Sequence, residues 1–160
     1  MSYLCMTIDI QMKKSVLRLL FIFFILTGCV QGNRFSTTYA FPEERWQRFE
    51  NPVLNFNIDK PGIYYDMFLE LEYNASQPPA DFPVTVLMYT PSGEMRARDI
   101  QLEMALPGEQ TTSPGKFKVV LRKEFAFSEK GACKFEIESR SSKVNTDGVK
   151  SISIILERSQ

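Results

Sequence analysis

The 160-residue chain contains no histidine. That absence excludes a Ser-His-Asp or Cys-His catalytic arrangement and removes the commonest metal ligand and the commonest general base. An excess of either charge is lacking too, since 19 basic residues face 19 acidic ones. A nucleic-acid binder carries a basic domain or a concentrated basic stripe. Neither the Arg96/Arg98 pair nor Arg122-Lys123 is long enough to form one, and such charges are expected on a solvated strand face. No CxxC, HExxH, phosphate-cradling glycine loop or GxSxG elbow occurs, and Asp59, Asp81, Asp99 and Asp147 lack calcium-loop spacing. The sequence therefore points to a protein without metal, cofactor or enzymatic activity, and not to a nucleic-acid partner.

No apolar run reaches the roughly 20 residues that span a bilayer. Instead, Lys13 and Lys14 precede the short run Leu19 to Leu26, which closes on Leu26-Thr27-Gly28-Cys29. A positive n-region, a short h-region and small residues before the end are the parts of a secretory signal, and the cysteine makes it resemble a bacterial lipobox. The motif implies that Cys29 receives a diacylglyceryl group, is cleaved on its amino side and is then acylated with palmitate-type chains. Each buried methylene contributes about 0.8 kcal/mol, so two or more chains hold a protein on a membrane where one is marginal. Residues 1–28 are thus expected to be a lipoprotein signal peptide, 29–40 the lipidated cysteine and a tether, and 41–160 the folded domain. Met12-Lys13-Lys14 reads as a natural start. Residues 1–28 hold Lys13, Lys14, Arg18 and Asp9, so the remainder has 16 basic and 18 acidic residues.

Cysteine is scarce, with three in the chain. Cys5 and Cys29 belong to the signal region, which leaves Cys133 as the single thiol of the domain and excludes an intramolecular disulfide. Cys133, Phe135 and Ile137 share one strand face, where a cysteine behaves as a small buried hydrophobe.

From Ile63 to Tyr73 apolar residues alternate with Tyr64, Asp66, Phe68, Glu70 and Glu72. A period of two is the mark of a half-buried antiparallel strand. The same alternation runs through Phe82 to Met88, Phe117 to Leu121 and Ile152 to Leu156, with shorter candidates at Val53 to Ile58, Met95 to Leu102 and Cys133 to Ile137. Between them lie Lys60-Pro61-Gly62, Gln77-Pro78-Pro79, Pro91-Ser92-Gly93, Leu106-Pro107-Gly108, Ser113-Pro114-Gly115, Lys130-Gly131 and Asp147-Gly148. Proline presets φ and glycine accepts positive φ, so these are turns. The pattern predicts an all-β, antiparallel β-sandwich, jelly-roll or immunoglobulin-like, of seven to eight strands. Gly32 to Ala40 reads as tether and Phe41 to Phe49 as a brief helical turn entered at Pro42.

Glu70 with Glu72, and Glu136 with Glu138, alternate with core positions and are expected to serve solubility; a glycosidase would need them opposed across a cleft. Asn74-Ala75-Ser76 matches a glycosylation sequon in a turn. Trp46, Phe49, Tyr64, Phe68 and Tyr89 supply aromatic surface for a glycan or a protein partner if they are exposed together, and core packing if they are not.

The order of landmarks carries a resemblance. Trp46 leads into Asn51-Pro52-Val53-Leu54-Asn55-Phe56, and Asp59 is followed by Tyr64-Tyr65. Asp81-Phe82-Pro83 opens a strand ending in Pro91-Ser92-Gly93, and Phe127 precedes Gly131 and Phe135. Asp147-Gly148-Val149 begins a strand that ends in Ile155-Leu156-Glu157-Arg158. With the lipobox, this order resembles the gliding-motility GldH lipoprotein family of the Bacteroidetes, in a divergent form that departs at Glu72-Tyr73-Asn74, Phe82-Pro83-Val84, Ala132-Cys133 and Glu138-Ser139-Arg140. The resemblance implies a non-catalytic envelope lipoprotein serving a gliding and secretion apparatus through other envelope proteins. The alternative expectation is a carbohydrate-binding lipoprotein of a polysaccharide-uptake system. Val30-Gln31-Gly32-Asn33 lacks the acidic residues that accompany surface export in such lipoproteins, so the expected position is the outer membrane, facing the periplasm.

Overall fold

A computed structural model describes residues 33–103 and 115–159. The signal segment 1–28, the Met12 start, Cys29 and the Leu106-Pro107-Gly108 turn lie outside them. Among the described residues there are ten strands: β1 (Arg34–Ala40), β2 (Arg45–Gln47), β3 (Val53–Ile58), β4 (Tyr64–Tyr73), β5 (Phe82–Tyr89), β6 (Met95–Leu102), β7 (Lys116–Ala126), β8 (Gly131–Ser139), β9 (Asn145–Asp147) and β10 (Val149–Arg158). One sheet has the order β1-β10-β4-β7, the other β3-β8-β5-β6, and β2 pairs β9 in a small third sheet. All pairings are antiparallel.

Period-two alternation places the core. Leu69 opposes Ile154 and Leu71 opposes Ile152 in the first sheet, while Val86 opposes Ile137 and Phe56 opposes Cys133 in the second. These inward side chains form one continuous buried cluster between the four-stranded sheets. Burying each large apolar side chain stabilises the fold by about 1.5–3 kcal/mol. β10, flanked by β1 and β4, is apolar on both faces, with Ile155 buried on the outward side opposite Phe68 and Ser36.

Two expectations are corrected and a third is narrowed. Residues 34–40 are not tether: they form β1, which pairs with β10 from Arg34↔Glu157 to Ala40↔Ser151. The alternation Phe35, Thr37, Tyr39 faces inward, and β-branched and aromatic residues suit a pleated strand. The brief helical turn expected within Phe41 to Phe49 is confined to its start: Pro42–Glu44 makes a 3-10 turn with Glu43 and Glu44 at φ 55° and 53°, and the chain then extends into β2. The strand count rises from the expected seven to eight to ten, since β1 and the three-residue β2 and β9 join the seven legible strands.

The start of β1 defines one end of the sandwich. Arg158 donates its backbone N–H to Asn33, and Ser159 donates to the carbonyl of Tyr64, so Asn33, Tyr64 and the last strand residues gather there. The opposite end carries Ala40, the β2–β9 sheet and the loops around Asn74 and Gly148. Ten extended residues of β4 separate the two ends, roughly 30 Å at about 3.3 Å per residue.

Candidate functional site

The five candidate aromatics do not form one patch. Trp46 is 1% exposed, so of its two readings core packing holds and the surface one does not. Its ring stacks on Phe41 at 4.9 Å and meets Phe82 edge-on at 5.6 Å, and its indole N–H donates to the Glu50 carbonyl at 2.8 Å. Phe68 lies on the outward face of the first sheet under the Lys118 ammonium, 3.9 Å from the ring centre. Tyr89 lies on the outward face of the second, under Lys134 at 4.0 Å. Tyr64 is exposed at the β1-start end and Phe49 at the far end.

That far end is built tightly around an exposed apolar tip. Gly148 donates to the Glu44 carbonyl and accepts from the Asn74 amide, both at 2.8 Å, tying three loops together. The Asn74 side chain, the sequon asparagine, donates to Glu44 at 3.0 Å and accepts from the Ser76 N–H. Arg45 donates to Asp147 at 2.6 Å across the β2–β9 pair. Tyr39 donates its hydroxyl to Glu50 at 2.5 Å, and this bond to the carboxylate pushes the phenol pKa up. Beyond this framework Phe49 is 83% and Val144 65% exposed. The Arg48 N–H donates to the Val144 carbonyl at 2.8 Å, which seats Val144 beside the Phe49 turn, and the Arg48 guanidinium lies 5.7 Å from the Phe49 ring centre. An exposed aromatic with a cation beside it, on a backbone tied by hydrogen bonds, is a contact element.

A second feature opens between the edge strands β6 and β7, as a cleft of about 460 Å³. Its floor includes Met67, Val86, Met88 and Phe135 from the core, and its rim carries Arg96, Arg98, Arg122 and Lys123. Pairing explains the rim: Arg98 opposes Val86 and Arg96 opposes Met88, so both arginines occupy the inward-facing register that Ile100 and Leu102 fill further along β6. All four side chains are exposed, as a solvated strand face implies, and the fold brings them to one opening. The Arg96 and Arg122 guanidinium groups lie 5.1 and 5.2 Å from the Phe125 ring centre. Arg98 donates to the Leu121 carbonyl across the gap. The signal for this cluster was the continued alternation of β6, in which arginine replaces apolar residues on the core side.

The carboxylate pairs face apart. Glu70 pairs with Lys116 at 3.7 Å on the first sheet, whereas Glu136 and Glu138 pair with Lys134 at 3.3 Å and Arg140 at 2.6 Å on the other. Asp66 accepts from the Glu124 N–H and the Ser159 hydroxyl, which hold its carboxyl below the usual range. Cys133 is buried, and burial pushes its thiol up to about 12. It stays protonated at neutral pH and is a packing residue, as its strand position indicated.

With this geometry in hand, a family model described as GldH lipoprotein matches residues 33–155. The chain belongs to the GldH lipoprotein family. In this GldH lipoprotein the landmarks of the resemblance are structural: Trp46 and Phe82 meet in the core, Pro91-Ser92-Gly93 turns β5 into β6, and Gly148 knots the far end. Membership makes it a lipid-anchored envelope protein. The comparison with curated proteins gave no match. Among solved structures, it is similar to the VP2 subviral particle of infectious bursal disease virus, with 12% identity, a TM-score of 0.42, and coverage of 78% of this chain and 33% of that one. It is also similar to the CBM22-1 xylan-binding domain of Paenibacillus barcinonensis Xyn10C, with 11% identity, a TM-score of 0.35, and coverage of 79% and 95%. The GldH lipoprotein thus spans about a third of the VP2 chain.

Proposed function

We propose that this GldH lipoprotein is a non-catalytic envelope module, anchored through Cys29 to the outer membrane on its periplasmic face, that docks onto other envelope proteins of a gliding and secretion apparatus. The observation that carries the reading is polarity along the sandwich. β1 begins at one end, five residues after Cys29, and the exposed Phe49–Val144 tip stands at the other, roughly 30 Å away. An anchor at Cys29 therefore leaves the tip free to meet a partner. Confinement to a membrane raises effective concentration, so a small aromatic contact suffices. The glycan alternative draws less support, because Trp46 is enclosed and Phe49, Tyr64, Phe68 and Tyr89 lie on separate surfaces.

The test is crosslinking and pull-down from native membranes with tagged full-length protein and its Phe49→Ser/Val144→Ser variant. Both side chains are solvent-exposed, so the unfolding midpoint should stay within the change of about 0.5 kcal/mol usual for surface substitutions. The wild type should recover gliding or secretion subunits and the variant should lose them. Equal recovery by both would remove the tip from the proposal, and recovery of polysaccharide-uptake proteins alone would replace the docking reading with the glycan one.

A further inference from the structure

We propose that the cleft between β6 and β7 holds an anionic lipid of the anchoring membrane, its acyl chain on the apolar floor and its phosphate on the guanidinium rim. The inference rests on the anchored reading above. Three observations converge on this occupant. The cleft is lined by four cations and by no carboxylate; Arg96 is ion-paired with Glu94 at 2.9 Å on the rim, and the remaining excess of positive charge makes an anion the complementary guest. Its floor consists of core side chains, Met67, Met88 and Phe135 among them, which are 2%, 6% and 1% exposed, so an acyl chain reaches them as Arg98 leaves its bond to the Leu121 carbonyl. About 460 Å³ lies within the range of roughly 300–1,000 Å³ typical of small-molecule sites.

Location selects the source. Arg34 opposes Glu157, and Glu157 opposes Asp66, the neighbour of Met67 in the cleft floor. The cleft and the start of β1 thus occupy the same end of the sandwich, three strand spacings apart in the order β1-β10-β4-β7, about 14 Å. Covalent reach at about 3.5 Å per residue keeps Arg34 within roughly 18 Å of a lipid on Cys29. Guanidinium groups bind phosphate bidentately, which suits Arg96 and Arg122, each beside the Phe125 ring. Inward-pointing charges also guard exposed sheet edges against association; that role would need neither the apolar floor nor a site at the anchored end.

Photolabelling decides between them. Full-length protein is given phosphatidylglycerol carrying a diazirine in its acyl chain, or phosphatidylcholine with the same chain, in mixed micelles, and labelled peptides are mapped by mass spectrometry. Labels should fall on the segments around Val86 to Met88 and Leu121, with the anionic lipid strongly preferred. The Arg96→Gln/Arg122→Gln variant should lose roughly fivefold of labelling per cation removed at an unchanged unfolding midpoint. Equal labelling by both lipids, labels elsewhere, or crosslinking of the rim to a second copy or an acidic peptide would overturn the proposal. Flotation with neutral vesicles reports the anchor separately. Flotation without cleft labelling sinks the lipid site alone; cleft labelling without flotation sinks the anchor and keeps the site.

Discussion

Trp46 illustrates how a single side chain divides between surface and core. Its ring has polar and apolar needs, and both are met internally: Phe41 and Phe82 take its faces and edge, and the Glu50 carbonyl takes its N–H. Trp46→Ala is accordingly a large-to-small core substitution, expected to cost about 3–5 kcal/mol, read as a lowered midpoint in denaturant unfolding. A near-neutral result would mean the indole is not packed as described. Periodicity could not assign this residue, because β2 has three residues, too few to establish a face. Cys133 was legible for the opposite reason: Phe135 and Ile137 fix its face within a nine-residue strand.

Among the elements, β3 and β6 run over the residues their sequence alternation marks, Val53–Ile58 and Met95–Leu102. β1 was hidden because its Ser, Thr and polar flanks have tether-like composition, whereas the pairing with β10 that makes it a strand is a contact across the whole domain. The four-cation cleft was hidden similarly, since strand order alone brings β6 beside β7. Turn glycines offer a measurement at this scale. Gly93 and Gly148 have φ of 84° and 85°, but a Cβ at Gly93 meets open space while one at Gly148 runs into the Gln77 carbonyl oxygen. Both alanine variants pay the left-handed backbone cost of about 1–2 kcal/mol; Gly148→Ala should lose clearly more, because the loop that carries Asn74 and Gln77 must move away from Gly148. Equal midpoints for the two in thermal unfolding would show that the knot is loose.

For the whole molecule, the domain begins at Asn33 and not at Phe41. A chain starting at Asn33 should unfold cooperatively. One starting at Phe41 should be weaker by about 2 kcal/mol, since Phe35 and Tyr39 are each only partly covered, and prone to associate through the uncovered edge of β10; equal stability by urea titration would restore the tether reading. The two open flanks of the sandwich are tied differently. On one, the Thr37 hydroxyl donates to the Asn55 carbonyl, linking β1 to β3 at 3.1 Å; on the other, Arg98 reaches Leu121. A phosphate oxygen, which forms a stronger charge-assisted bond than a neutral carbonyl, can take the guanidinium away. Of the two flanks, that one is the side an anion would loosen.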